Sequence, residues 1–412
     1  MARPLSLMHL ANSHSTNVGN GALILGSEAV IAEDMPRPIA WTREPWDDYT
    51  FDIRTFDGAF VERVNRETDG LIVGGAVAIH GRDYLRNAGM RFDLPLELWP
   101  KIDKPVVFYG LSHRHWRGQP FHHLDKLRRA LAYAIEHPRM LFSVRNDGTK
   151  EWLESLLCSR LDGIHTIPDP AIYVPTEPAD PIEGPRLGEK RLNIILAFNN
   201  EDAVYRYGGP VREMVSTVLG PVMHEKRVMR IGAALSRMTA RRTRIVEQVV
   251  KAIERLWREM PINIILVPHY FDDYRMMSDF VTLCPPRIAH QNMLSTGLTT
   301  LAGARRFYGL YAQADLAISM RVHSMSPSFG LGVPMVPLVT QERMWAFLKE
   351  AQVDDLGVDA FDADLANQLY AKASYVLNNR DAVRRRFLVA KSKFREQSRS
   401  FHSKMAALFQ DG

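Results

Sequence analysis

The segment Arg321-Val322-His323-Ser324 places a permanently charged guanidinium, a titratable imidazole and a hydroxyl within four residues. A guanidinium binds phosphate and carboxylate groups through paired hydrogen bonds. A histidine can deliver or remove a proton near neutral pH. The segment therefore predicts an anionic substrate that undergoes proton transfer, with catalytic roles for Arg321 and His323 and a substrate contact for Ser324. The alternative is a structural charge at the mouth of a buried strand-helix unit.

A second histidine, His269, follows the apolar run of residues 262–267 after a single proline, Pro268. A histidine at the end of a buried parallel strand points toward a ligand site, so we predict a catalytic role for His269. Asp272 lies three residues further on and is predicted to bind a substrate hydroxyl. The structural alternative is a buried histidine at a loop entrance, followed by an aspartate that caps the next helix.

Small and polar residues also follow the first apolar run, where Asn17, Gly19 and Asn20 precede a long apolar helical stretch. Glycine at a strand-to-helix turn lets the backbone approach a ligand, and the free amides of a helix N-terminus suit an anion. We predict substrate contacts for these three residues. A tight turn with asparagine in left-handed conformations is the structural alternative.

Three more candidates follow later apolar runs. Arg145 ends the run "MLFSVR", and it could bind an anion or form a structural ion pair. His113 and His115 lie in the cluster "HRHWR" after "PVVFYGLS", where a histidine and arginine cluster could hold an acidic or phosphorylated substrate. A solvated loop explains the same cluster equally well.

Composition limits the class of protein. The chain has 412 residues, 46% of them hydrophobic and 24% charged, which is typical of a globular protein of two domains. The net charge of +5 is far from that of a dedicated nucleic-acid binder. No apolar run approaches the roughly 20 residues that span a bilayer, and the N-terminus lacks the pattern of a signal peptide. We expect a cytoplasmic protein with at most peripheral membrane contact, no nucleic-acid partner and no disulfide or zinc site.

Strand-like and helical runs alternate along both halves of the chain, which predicts an α/β protein. We predict two Rossmann-like parallel-sheet domains facing a cleft, at residues 1–176 and 191–379. A proline-rich linker is expected at 177–190, and a C-terminal helix at 380–412. Because ligands of open parallel sheets bind at the carboxyl ends of the strands, the candidate residues should face this cleft.

Four motifs occur in a familiar order: the Asn-x-Gly-Asn turn at 17–20, "SVRNDGT" followed by "IPDPAIYV", "ILVPHYFDD", and "ADLAISMRVHSMSPSFGLGVPMVPL". With these motifs the chain resembles the polysaccharide pyruvyl transferase family. The resemblance implies a GT-B-like fold whose C-terminal helices pack back toward the first domain. It also implies transfer of pyruvate from phosphoenolpyruvate to two hydroxyls of a sugar or glycan, forming a cyclic ketal and releasing phosphate without a metal or cofactor.

Under this resemblance Arg321 would clamp the donor and His323 would act as the acid/base. His269 would be a reserve group for acceptor activation, and Arg145 would add positive charge. The cluster with His113 and His115 departs from the family pattern. Two other functions stay open: a GT-B glycosyltransferase that uses a nucleotide sugar, and a non-catalytic sugar- or anion-binding protein. The sequence does not identify the acceptor or show whether it is lipid-linked.

Overall fold

A computed structural model describes residues 3–12, 17–179, 191–285, 290–292 and 300–410. Most of the predicted linker, residues 180–190, lies outside the described residues. Within the described residues the strands form two separate parallel sheets.

The first sheet has the strand order β2-β1-β3-β5-β6-β7, with β4 beside β5, and all its pairs are parallel. Its strands are β1 Leu5–Ala11, β2 Ile39–Pro45, β3 Gly70–Gly74, β4 Val77–Ile79, β5 Val106–His113, β6 Met140–Arg145 and β7 Ile164–Ile167. Its helices are α1 Val18–Asp34, α2 Trp46–Thr50, α3 Gly58–Glu67, α4 Leu124–Glu136 and α5 Thr149–Leu157, with 3₁₀ helices at Leu96–Lys101 and Pro170–Tyr173.

The second sheet has the order β10-β9-β8-β11-β12-β13, again all parallel. Its strands are β8 Leu192–Ala197, β9 Ile262–Leu266, β10 His290–Asn292, β11 Leu316–Ser319, β12 Met335–Val339 and β13 Val358–Asp359. The helices of this half are α6 Ala203–Tyr207, α7 Gly209–Leu219, α8 Glu225–Leu235, α9 Met238–Glu259, α10 Asp273–Leu283, α11 Leu301–Tyr311, α12 Val322–Gly330, α13 Glu342–Glu350, α14 Leu365–Asn378 and α15 Arg380–Gln410, with a 3₁₀ helix at Asp354–Leu356. The predicted GT-B-like class, two parallel-sheet α/β domains, is confirmed.

The central strands are apolar on both faces because helices cover both faces of each sheet. Every residue of β3 and β9 is buried. By contrast, the edge strand β2 is mostly exposed or half-buried, with Glu44 its one buried residue, and its polar sequence "IAWTREP" gave no strand signal. Edge strands tolerate polar residues because one side of the strand faces water.

The two halves meet through the 3₁₀ helix Pro170–Tyr173, which lies between α1 and α12. A side chain on Gly26 would overlap the carbonyl of Pro170, and one on Gly330 would overlap the carbonyl of Ile172. Only glycine permits this close approach. The loops after β1 and β9 also meet, since the N–H of Val18 donates to the carbonyl of His269 at 3.2 Å. The carboxyl ends of the two sheets therefore face each other.

Helix α15 packs against the first sheet. Arg395 binds Asp34 of α1 at 2.5 Å, and His402 lies between Asp34 and the hydroxyl of Tyr109, at 2.6 and 2.8 Å. Further along α15, apolar side chains join the core around β1, namely Phe401, Met405 and Phe409. The last helix thus links the second half of the chain to the first domain.

Candidate active site

His323 is the second residue of α12 and lies where the two domains meet. A Cβ atom on Gly19, in the first turn of α1, would overlap the imidazole of His323. The N-termini of α1 and α12 therefore converge on this ring, and both present partial positive charge to it. The predicted turn at Asn17 to Asn20 and the predicted histidine are brought together.

His323 also contacts Arg145 of the first domain, whose Nη1 lies 3.4 Å from the imidazole Nε2. A guanidinium can only donate, so this contact assigns Nε2 as the acceptor and Nδ1 as the protonated nitrogen. Burial lowers the pKa of His323 well below its usual value, and the positive charges of Arg145, Arg343 and Arg321 lower it further. The imidazole is neutral at neutral pH.

The positive charge of Arg145 is only partly balanced by a nearby carboxylate. Its side chain is 1% exposed, its Nε donates to the carbonyl of Gly110 at 3.0 Å, and its Nη1 lies 3.4 Å from Asp169. Its Nη2 is buried without a hydrogen-bond partner among the described residues. Burial raises the pKa of Asp169, and the charge of Arg145 only partly opposes that rise. Arg145 thus keeps hydrogen-bonding capacity for an anion.

A third cation, Arg343 at the start of α13, was missed by the sequence analysis. Its Nε donates to the side chain of Gln341 at 2.6 Å, and its Nη1 donates to the carbonyl of His113 at 3.2 Å. Among the described residues no carboxylate lies within 4.0 Å of its guanidinium. Burial lowers the pKa of Arg343 to about 10. Arg343 lies in the first turn of α13, where no recognisable motif surrounds it, so no sequence signal identified it.

Arg321, the predicted clamp, is fully engaged. Its Nε and Nη2 bind the two carboxylate oxygens of Asp273 at 2.8 and 2.6 Å, and its Nη1 lies 3.2 Å from Glu201. Glu201 also accepts from Arg114 of the first domain at 2.6 Å. The structure therefore gives Arg321 a role in holding the site together, because its paired donors are already occupied.

Asp272, predicted to bind a substrate hydroxyl, and its neighbour Asp273 lie in different environments. Asp272 is half-buried and lies 3.8 Å from Arg275, on the outer side of α10. Asp273 is the buried residue, and besides Arg321 it accepts hydrogen bonds from the backbone N–H groups of His269 and Tyr270. Neighbouring residues at a helix start point in directions about 100° apart, so only one of them can reach the interior.

Two other predicted residues lie behind His323 and away from the cleft. Ser324 is fully buried, and its hydroxyl accepts a hydrogen bond from Tyr311 at 2.8 Å. His269 is 3% exposed, and its Nε2 lies 2.7 Å from the same tyrosine hydroxyl. Burial lowers the pKa of His269 well below its usual value. This buried chain of hydrogen bonds joins the loop after β9 to α11 and α12.

The polar residues of the N-terminal turn have structural partners too. Asn17 is the N-cap of α1 in an extended conformation, not a left-handed one, and its side chain accepts from the N–H of Gly19 at 3.0 Å. Asn20 is half-buried in the first turn. What this turn offers to a ligand is the helix N-terminus itself.

Next to these residues lies a cavity of about 890 Å³ between the domains. His113 and His115 both line it, and the ring of His113 stacks on Trp152 with centroids 4.3 Å apart. Burial lowers the pKa of His113 to about 4, so it is neutral. The wall carries more positive than negative groups: Arg114, Arg117, Arg206, Arg212, Arg241, Arg244 and Arg343 against Glu213, Glu342, Asp359 and Asp362.

In the ranges that the structure describes, no group of three or more His, Cys, Asp or Glu is arranged to hold a metal ion. None of the helices described is long and apolar enough to cross a membrane.

A family model for polysaccharide pyruvyl transferase matches residues 17–342. The match covers most of the chain, so the chain belongs to the polysaccharide pyruvyl transferase family, as the sequence motifs indicated. No curated protein matches it.

Several solved structures are similar over nearly the whole chain. A UDP-GlcNAc 2-epimerase from Methanocaldococcus jannaschii, in complex with UDP-GlcNAc and UDP, is 12% identical over 91% of this chain and 93% of that chain, with a TM-score of 0.42. MurG from Acinetobacter baumannii is 13% identical over 99% and 100%, with a TM-score of 0.42. A UDP-forming trehalose-phosphate synthase from Burkholderia vietnamiensis is 14% identical over 100% of both chains, with a TM-score of 0.47.

The contact between Gly19 and His323 can be tested by Gly19→Ala. Alanine favours a helix over glycine by up to about 1 kcal/mol, so the protein should stay folded. The added methyl group must move the imidazole, and a displacement of about 1 Å can lower turnover about 100-fold. We expect that loss of transferase activity together with a modest fall in the thermal unfolding midpoint, because overpacking a buried site costs about 1 to 3 kcal/mol. The control is Gly58→Ala, at the start of α3, where a Cβ meets open space. Near-normal activity of Gly19→Ala would show that the ring position is not critical.

Proposed function

We propose that this member of the polysaccharide pyruvyl transferase family moves pyruvate from phosphoenolpyruvate onto two hydroxyls of a sugar, forming a cyclic ketal and releasing phosphate. One observation carries the proposal: a neutral His323 lies among cations, of which Arg145 and Arg343 are incompletely compensated. Such a site has guanidinium donors that are free for a negative ligand, and it contains a group that can carry a proton.

Phosphoenolpyruvate would supply that charge through its phosphate and its carboxylate. Arg145 and Arg343 are the two candidate ligands for these groups, because each guanidinium has donors that no carboxylate saturates. The N-termini of α1 and α12 would add backbone N–H groups. Arg321 would contribute positive charge and hold the site in place without binding the donor directly, because its Nε and Nη2 already donate to Asp273. Arginines and helix termini together can stabilise the charge that moves during the reaction.

The anion would also activate His323. Its pKa is lowered by burial and by the surrounding arginines, and a bound anion offsets those positive charges and raises that pKa. Protonated His323 then donates to the methylene carbon of phosphoenolpyruvate. The electron pair of the C=C bond forms the new C–H bond, and the adjacent carbon becomes an oxocarbenium-like centre.

The first sugar hydroxyl adds to this centre, and its proton returns to His323. The C–O bond to phosphate then breaks, and the second hydroxyl closes the ketal. The released phosphate takes the proton of the second hydroxyl and leaves as hydrogen phosphate. One diol and one phosphoenolpyruvate thus give one ketal and one phosphate, and His323 ends as it began.

The cavity beside the site is the proposed place for the acceptor. Trp152 and the stacked ring of His113 offer an apolar surface for a sugar. The surplus of arginines in the wall suits an acceptor with an acidic sugar or a phosphate group. His269, predicted for acceptor activation, is buried behind Tyr311 and would support α12 instead.

Substitution of His323 tests the acid/base role. We expect His323→Gln to lower turnover about 1,000-fold, within the range for loss of a general acid, while the Kd of phosphoenolpyruvate changes little. Turnover is measured by phosphate release with a glycan acceptor and by the mass of the ketal product. The Kd is measured by donor titration. His122→Gln, at an exposed histidine, is the control. Consumption of a nucleotide sugar without phosphate release from phosphoenolpyruvate would instead identify a glycosyltransferase.

Substitution of Arg343 and of Arg321 by glutamine should have different effects, the first on donor affinity and the second on stability. Loss of a charged hydrogen bond to the donor should raise the Kd of phosphoenolpyruvate about 10- to 100-fold in Arg343→Gln, with stability preserved. Arg321→Gln leaves Asp273 buried without its partner, which should lower the free energy of unfolding by about 3 to 5 kcal/mol. Calorimetric titration measures the donor Kd, and thermal unfolding measures the stability. Arg384→Gln, at an exposed arginine, is the control. Equal donor affinity in native protein and Arg343→Gln would remove Arg343 from the donor site.

A further inference from the structure

Helix α7 is amphipathic in the reverse sense from a normal surface helix. Met214 and Val218 are 62% and 64% exposed, and Val211 on the same face is 40% exposed. The opposite face is buried and carries Arg212 and Ser216 beside Val215, which are 3%, 2% and 6% exposed. A surface helix normally turns its apolar stripe toward the core. The outward apolar stripe of α7 therefore lacks a partner among the described residues.

The apolar surface continues beyond α7. Val222, in the turn that joins α7 to α8, is 77% exposed, and Leu235 at the end of α8 is 62% exposed. The two helices pack closely, because a Cβ on Gly232 of α8 would lie 3.2 Å from the side chain of Arg212. Val211, Met214, Val218, Val222 and Leu235 are the apolar residues of what we call the α7–α8 surface.

The segment that carries this surface is also strongly basic. Residues 209–244 contain eight Lys or Arg and only two Glu, so the segment has a larger positive charge than the whole protein, whose net charge is +5. Several of the basic side chains are exposed on α8 or just after it, namely Lys226, Arg227, Arg230 and Arg237. Of the two acidic residues, Glu225 is already paired with Arg82.

We propose that the α7–α8 surface docks on an anionic lipid bilayer. Protruding aliphatic and methionine side chains would enter the boundary between head groups and acyl chains, and the basic side chains of α8 would meet the negative head groups. The opposite side of α7 lines the cavity through Arg212 and Glu213. A bilayer in this position would therefore lie beside the cavity. The proposal concerns binding to a membrane surface and does not depend on the proposed reaction.

Sedimentation of the full chain with lipid vesicles tests the proposal. We expect binding to vesicles of phosphatidylcholine with phosphatidylglycerol, little binding to phosphatidylcholine alone, and weakening by salt. Met214→Ser with Val218→Ser should weaken binding about tenfold or more, because both side chains lose apolar burial. Lys226→Gln with Arg227→Gln and Arg230→Gln should also weaken it and reduce its salt dependence. All five positions are exposed, so thermal unfolding should be unchanged.

The matched control is a second exposed apolar and basic patch, on α15, with Arg384→Gln, Arg385→Gln, Leu388→Ser and Val389→Ser. These four changes should leave vesicle binding intact. The proposal is wrong if the native protein does not bind anionic vesicles, or if binding depends on the α15 patch and not on Met214 and Val218. It is also wrong if Met214 and Val218 instead mediate self-association without lipid, seen by analytical ultracentrifugation. Phosphate release with a soluble acceptor, measured in parallel, separates failure of docking from failure of the proposed reaction.

Discussion

The buried ion pair between Arg321 and Asp273 is the interaction on which the site depends. It joins the loop after β11 to the start of α10, while Asp273 also accepts the N–H groups of His269 and Tyr270 after β9 and of Asn200 after β8. Three strand ends of the second sheet are thereby fixed to one carboxylate. Removing either partner would leave a buried charge uncompensated, at a cost of about 3 to 5 kcal/mol. Because Arg321 is also the N-cap residue of α12, the pair determines where His323 lies.

Charge is distributed unevenly around His323. Arg321 and Arg114 share Glu201, and Arg321 has Asp273 as well, so these cations are balanced within the protein. Arg145 has one long contact with Asp169, and among the described residues Arg343 has no carboxylate within 4.0 Å, although the charge of Asp147 acts on it. The balanced pairs give the cleft its shape, and the unbalanced cations leave room for a negative ligand. In the proposed reaction that ligand is phosphoenolpyruvate. Burial, together with the same surplus of cations, lowers the pKa of His323 and keeps the imidazole neutral until the donor arrives.

The sequence predicted what depends on local pattern. The runs "LSLMHLA" and "MLFSVR" are β1 and β6 to the residue, because buried parallel strands are nearly continuous apolar segments. The segment with Arg321 and His323 was located because its residues start a helix directly after such a strand. The sequence could not distinguish Asp272 from Asp273, or foresee that Arg343 approaches the site from another loop, since both depend on tertiary packing. Helix α7 was overlooked because its apolar stripe faces outward and its buried face carries an arginine.

The central claim is that an anionic donor converts a neutral His323 into a proton donor. The most direct test is the number of protons taken up when phosphoenolpyruvate binds, measured by calorimetry in buffers with different ionisation enthalpies. Between the lowered pKa of free His323 and its raised pKa in the complex, binding should take up about one proton more in the native protein than in His323→Gln, and donor affinity should fall as pH rises through that window. Equal proton uptake by the two proteins would contradict the account.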